Sequence, residues 1–206
     1  PSKRQVTVDQ SKTLVEELHK QYAKTYGTNT VPMNAETAQD TNEFGEENTN
    51  SEAIKTVGVF VNETVDNLVT IAKEANLDAV QLHGDEDEAF IQALKEKTDV
   101  EVWKAVQLRS AADAEAWIDS SADMLLFDAY HKDERGGTGE VFDWSCLDEF
   151  ERPFMLAGGI DSTNMARAIR TVRPYGIDIS SGIETDGVKD DEKIKAFTNI
   201  VRTIAH

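Results

Sequence analysis

From Lys55 onward the chain repeats one alternation: a short run of apolar residues, then a longer segment in which apolar residues return every three or four positions. Strands show a period of two or an unbroken apolar run, whereas helices show a period of 3.6. Residues 56–61, 79–83, 101–106, 124–128, 154–157 and 177–181 accordingly read as strands. Helices are expected at 65–75, 86–97, 111–118, 162–172 and 191–204, with a short helical turn at Leu147. Met124, Leu125, Leu126 and Phe127 are apolar without a break, as expected of a strand covered on both faces. Ahead of this repeat, 10–26 reads as another helix, with Leu14, Val15, Leu18 and Tyr22 forming one apolar stripe.

Strands and helices that alternate over short connections predict parallel strands and right-handed crossovers, so the fold is α/β, either a barrel or an open doubly wound sheet. The polar residues favour the barrel. Asn62, His83, Asp128, Gly158, Gly159, Ser180, Ser181 and Gly182 all fall at predicted strand C-terminal ends, where a (β/α)8 TIM barrel carries its site. No G-x-G-x-x-G follows the first strand, which weakens the open-sheet reading. Residues 1–206 read as one domain. Within it, 27–53 has six acids and no Lys or Arg and is expected to be a flexible acidic insertion.

The charge narrows the partners. With 39 acids against 21 bases and a net charge of -18, the chain does not suit nucleic acid or an anionic membrane. The single cysteine, Cys146, excludes a disulfide framework and a multi-cysteine zinc site, which points to a reducing cytoplasmic compartment. No apolar run is long enough for a bilayer span or a signal segment. Monomer and homodimer are both compatible with the pattern.

Asp128 ends an apolar strand and leads into a loop containing Gly136, Gly137 and Gly139, a candidate lid. It is either a solvated strand-terminal acid or a site carboxyl, and the second holds only if other strands converge on it. Gly158-Gly159 and Ser180-Ser181-Gly182 follow the last two predicted strands, the usual phosphate position of these barrels; tight turn geometry is the alternative. Arg4 is a surface arginine or an anion clamp, and His83 a strand-end histidine or a site residue. Lys104 is the one strand lysine that a Schiff-base aldolase could use.

The segments VGVFVNE, AVQLHG, FDAY with GGTGEVFDWS, LAGGI, VRPYGIDISSGIE and GVKDDEKI, in that order, resemble the phosphoribosylanthranilate isomerase family of tryptophan biosynthesis. The resemblance covers nearly the whole chain outside the acidic insertion. It implies a (β/α)8 barrel that rearranges N-(5-phosphoribosyl)anthranilate, a small phosphorylated substrate, to the aminoketose without a cofactor or metal. In that family Asp128 would be the general acid that opens the ribose ring, in a pocket walled by Leu126 and Phe127. Arg4 would hold the anthranilate carboxylate, His83 and Asp178 would line the pocket, with Asp178 equally open to being an acid that orients a pocket residue from behind, and Gly158, Gly159, Ser180, Ser181 and Gly182 would bind phosphate. The family's general base is a cysteine in a K-I-C-G-type motif at the end of its first strand, and no such motif occurs in this sequence. Only six of the eight strands are visible, so an upstream strand-helix-strand of about 35–40 residues is expected, judged from the size of a βαβ unit. Cys146, beyond the glycine loop, is expected to pack as a small hydrophobe. A non-catalytic phosphosugar-binding fragment is the competing class, alongside the aldolase.

Overall fold

The computed structural model describes residues 5–26, 54–129 and 144–204. Arg4, the segment 27–53 and the glycines Gly136, Gly137 and Gly139 lie outside them. Six strands, β1 (Val57–Phe60), β2 (Ala79–Leu82), β3 (Glu101–Leu108), β4 (Met124–Ala129), β5 (Phe154–Ala157) and β6 (Gly176–Ile177), form one parallel sheet in the order β1-β2-β3-β4-β5-β6. Each new strand adds beside the last, so successive right-handed crossovers leave their helices on the same face, whereas a doubly wound sheet reverses its order midway. The winding is that of a barrel.

The helices are α1 (Val8–Tyr26), α2 (Val65–Glu74), α3 (Glu88–Lys95), α4 (Ala111–Glu115), α5 (Met165–Val172) and α6 (Asp191–Ile204). Their starts are written locally. Thr7 and Gln10 exchange side-chain bonds with each other's backbone N–H groups ahead of α1, Asp87 accepts from Phe90 N–H at 2.9 Å, and Ser110 with Asp113 forms a capping box. Each cap contributes about 1 kcal/mol, less than the roughly 1.5–3 kcal/mol of one buried Leu, so packing rather than capping holds the helices. That packing joins Leu68, Ile91, Leu94, Met165, Ala168 and Phe197 from the helices to Val80, Leu82, Val102, Val106, Leu125, Phe127 and Leu156 from the strands. Phe127 meets Phe150 and Phe154 edge to face at 5.0 and 5.3 Å.

Two expectations need correcting. The stripe on α1 is largely unburied: Val15 is in the core, but Leu14 is 62% and Leu18 37% exposed. The last strand is Gly176–Ile177 rather than 177–181, because after Ile177 the chain turns into a 3-10 segment, Ser181–Ile183. A small antiparallel hairpin, β7 (Glu184–Thr185) with β8 (Val188–Lys189), then precedes α6. No helix among the described residues is long and apolar enough to cross a membrane.

Carboxylates stitch the strand N-terminal ends together. Asp78, just before β2, accepts from the Thr56 N–H and hydroxyl, each at 2.7 Å, and Asp123, just before β4, accepts from Val102 N–H at 2.8 Å and pairs with Lys95. Arg152 donates to the carbonyls of Trp117, Ile118, Ser120 and Ala122, closing the segment between α4 and β4. Glu88 reaches the same segment, accepting from the Ser120 hydroxyl at 2.7 Å and Ser121 N–H at 3.0 Å.

Burial pushes the Glu88 carboxyl up, but hydrogen bonds from Ser121, Ser120 and Gln92 outweigh it and bring the group to about 2, against an ordinary 4.5. A folded value below the unfolded one means that the ionised carboxylate stabilises the fold fully above pH 4.5 and ceases to do so as pH falls toward 2. Urea midpoints measured across that window should therefore fall more steeply for the wild type than for Glu88→Gln. Parallel curves would show that the contact is not proton-linked.

Candidate active site

The parallel ladder sorts side chains between two environments. Residues directly paired across parallel strands point to the same side, and successive residues alternate. Lys104, Val106, Leu125, Phe127 and Leu156 share the helix-covered face. Gln107, Leu126, Asp128 and Ala157 therefore share the inner face, through the pairs Gln107↔Asp128 and Asp128↔Ala157. Asp178 joins them: it follows Ile177, which pairs with Leu156, and its N–H donates to the Leu156 carbonyl at 2.8 Å. Gln107, Asp128, Ala157 and Asp178 thus form one row across the C-terminal end of the sheet. At about 4.8 Å per strand, Asp128 and Asp178 stand roughly 10 Å apart. His83, one residue beyond β2, bonds through its N–H to Phe60 at 2.8 Å and continues the register to the level of Ala105, on the same face and one row lower.

This parity corrects the expected wall of the Asp128 pocket. Leu126, 1% exposed, lies beside Asp128, but Phe127 points the other way into the helix-side core. It also answers the strand-lysine question. Lys104 faces the helices, 3% exposed, with its ammonium donating to Gly84 O at 2.6 Å and Glu86 at 3.1 Å and lying 5.7 Å from the Trp117 ring centroid. An amine tied up in this way, on the far side of the sheet from Asp128, is not placed to form a Schiff base there.

Two loops close the other end of the row. Gly158 and Gly159 have φ of 85° and 58°, conformations in which a Cβ would be strained, and the pair carries the chain out of β5. The Gly159 carbonyl accepts from Asn164 Nδ2 at 2.8 Å, and Asp161 accepts from the Thr163 hydroxyl and N–H, which fixes the turn into α5. Gly182 meets this turn directly: a Cβ there would lie 2.3 Å from the Ile160 carbonyl oxygen. Gly182 therefore lies against the turn that follows Gly158-Gly159, and Lys189 holds the Ser180 carbonyl at 2.8 Å. Backbone donors from two adjoining loops at strand C-terminal ends suit a phosphate.

Sequence reasoning missed two groups. Gln107 beside Asp128 would have been legible had β3 been carried past Val106 to Leu108. Glu86 is the other. Its carboxylate, 2% exposed, accepts from Asn62 N–H at 2.7 Å, Gly84 N–H at 2.9 Å and Lys104 at 3.1 Å. Burial pushes this carboxyl up, and the Asn62 N–H and Lys104 ammonium more than reverse the shift, holding it below the ordinary range. Cys146 sits in a 3-10 turn, Trp144–Leu147, half-buried against the helix-side core and away from the row.

Comparison with known proteins agrees with this geometry. The family model described as N-(5'phosphoribosyl)anthranilate (PRA) isomerase matches residues 3–200. An N-(5'-phosphoribosyl)anthranilate isomerase of Endomicrobium trichonymphae is 45% identical over 153 residues, 74% of this chain and 75% of that protein. The crystal structure of the Thermotoga maritima phosphoribosyl anthranilate isomerase superposes with a TM-score of 0.72 at 29% identity, covering 98% of this chain and 83% of that one. A structure of the same enzyme type in complex with reduced 1-(o-carboxyphenylamino)-1-deoxyribulose 5-phosphate gives 0.69 at 26% identity, with 98% and 82% covered.

The close approach at Gly182 is testable. Gly182→Ala must push the two loops apart, which should cost about 1–3 kcal/mol of stability and remove the thermal stabilisation given by inorganic phosphate. A variant that melts like the wild type and responds equally to phosphate would show that the loops do not meet as described.

Proposed function

The chain belongs to the N-(5'-phosphoribosyl)anthranilate isomerase family, and from that membership we propose how its own residues carry the reaction. The substrate is N-(5-phosphoribosyl)anthranilate, and the product of the Amadori rearrangement is 1-(2-carboxyphenylamino)-1-deoxyribulose 5-phosphate, a step of tryptophan biosynthesis. The observation that carries the assignment of roles is the order along the inner face: the glycine and serine loops at β5 and β6 stand at one end, Asp128 on β4 in the middle, and His83 at β2, one row lower, toward the other end. A ligand with a phosphate at one end, a furanose in the middle and an aminobenzoate at the other matches that order.

In this reading Asp128 donates its proton to the ring oxygen as the C1–O bond breaks, while the nitrogen lone pair forms the C1=N bond of a protonated Schiff base. A base then takes the C2 proton, and the released electron pair forms C1=C2 and neutralises the nitrogen. Return of a proton to C1, with loss of the enol proton from oxygen, yields the ketone. His83 and Asp178 line the pocket, and Arg4 clamps the benzoate carboxylate through its guanidinium.

The base is not Cys146, which packs on the helix side. We infer that it stands on a strand added to an open edge of the sheet. In support, β1 and β6 each pair on one side only among the described residues, Val59 and Val61 are 61% and 65% exposed, and an apolar groove lined by Tyr175, Ile177, Ile179, Phe197 and Val201 runs beside β6.

Asp128→Asn should lower kcat of the intact enzyme by about 100-fold or more with little change in KM, the mark of a lost general acid. Cys146→Ser should change neither by more than about threefold. Turnover by Asp128→Asn close to that of the wild type would remove Asp128 from the mechanism, and loss of activity in Cys146→Ser would give the base role back to Cys146.

A further inference from the structure

Glu86 and Lys104 form a buried pair that no step of the proposed reaction uses. Their side chains are 2% and 4% exposed, and two charges removed from water are a poor source of stability, since apolar residues of similar size commonly replace such pairs at no cost. What the pair does is geometric. One carboxylate oxygen holds the Asn62 amide, after β1, and the other holds the Gly84 amide, after β2. The Lys104 ammonium, from β3, holds both that second oxygen and the Gly84 carbonyl. The ends of two strands and the middle of a third meet on one ion pair.

The turns so held are not relaxed ones. Asn62 has φ of 54°, in the left-handed region, and its side chain is bound on both sides by Asp85, accepting from Asp85 N–H at 2.7 Å and donating to the Asp85 carboxylate at 3.2 Å. Gly84 packs so closely on Asn62 that a Cβ would lie 2.2 Å from Asn62 Oδ1. His83 stands between Leu82, which pairs with Lys104 in the ladder, and Gly84, which the ion pair grips at both N–H and C=O. Its backbone is held on both sides, and the register places it on the inner face.

We propose that Glu86 and Lys104 are positioning residues, which fix the turns after β1 and β2 and with them His83 at the β2 end of the inner face. The proposal rests on the isomerase reading for the identity of the ligand. Asp128 lies on β4, held by its own ladder to β3 and β5. Loosening the clamp therefore weakens substrate binding and spares the proton transfer.

Two variants separate positioning from stability. Glu86→Asp keeps the charge but is one methylene too short to reach both amides, and Glu86→Leu with Lys104→Met removes the pair without leaving a lone buried charge. In each, KM should rise about tenfold or more while kcat stays within about threefold of the wild type, and the double variant should keep a urea midpoint near that of the wild type. A folded variant whose KM stays within about threefold, or a KM that tracks the urea midpoint, overturns the proposal. Should neither variant fold, amide exchange in the wild type decides: the Asn62 and Gly84 amides should exchange only through global unfolding, and rapid local exchange overturns the clamp. Absence of turnover in the intact wild-type enzyme, with the strand that carries the base present, would count against the isomerase reading instead, and the same fold-changes would then be read as affinity for reduced 1-(o-carboxyphenylamino)-1-deoxyribulose 5-phosphate.

Discussion

The parallel hydrogen-bond ladder from β3 through β5 is the constraint on which the rest depends. Because its period is two, a shift of one residue would exchange every inward side chain for an outward one. The register that buries Val106, Phe127 and Leu156 against the helices is the same register that sets Gln107, Asp128 and Ala157 in line on the inner face. The core and the site are therefore one decision. Burial of several large apolar side chains, at roughly 1.5–3 kcal/mol each, fixes where a single carboxyl stands.

The two ends of the sheet use the same chemistry differently. At the N-terminal ends, Asp78 and Asp123 take backbone N–H groups at β1 and β3 and so lock adjacent strands in register. At the C-terminal ends, Glu86 does the same for the turns after β1 and β2, but those turns carry Asn62 and His83. The carboxylates below the sheet hold strands in register, and the one above it holds turns beside the candidate site, in keeping with the division of labour of barrel folds.

Much of this was legible in the sequence. Unbroken apolar runs located the strands, and polar residues just past them named the candidate site residues, since both signals are local. The resemblance of motifs such as AVQLHG and LAGGI to the family, now shown by the match over residues 3–200, supplied the chemistry. The failures were non-local or too short to carry a period. The α1 stripe looked core-facing because helical spacing does not say whether anything covers it, and Leu14 and Leu18 stay exposed. Phe127 was expected beside Asp128 although neighbours in a strand face opposite ways. The two-residue strands β7 and β8 have no period to read. Glu86 passed as the start of a helix because two of its three partners lie 24 and 18 positions away, at Asn62 and Lys104.

The most direct test of the row is a crystal structure of the protein with reduced 1-(o-carboxyphenylamino)-1-deoxyribulose 5-phosphate bound. The phosphate should lie about 3 Å from backbone amides of the Gly158-Gly159 and Ser181-Gly182 loops, with the hydroxyl that derives from the ring oxygen within hydrogen-bond reach of Asp128 and the aryl group toward β2 and β3. A ligand found on the helix-covered face beside Lys104, or with its phosphate at the strand N-terminal ends, would contradict the account.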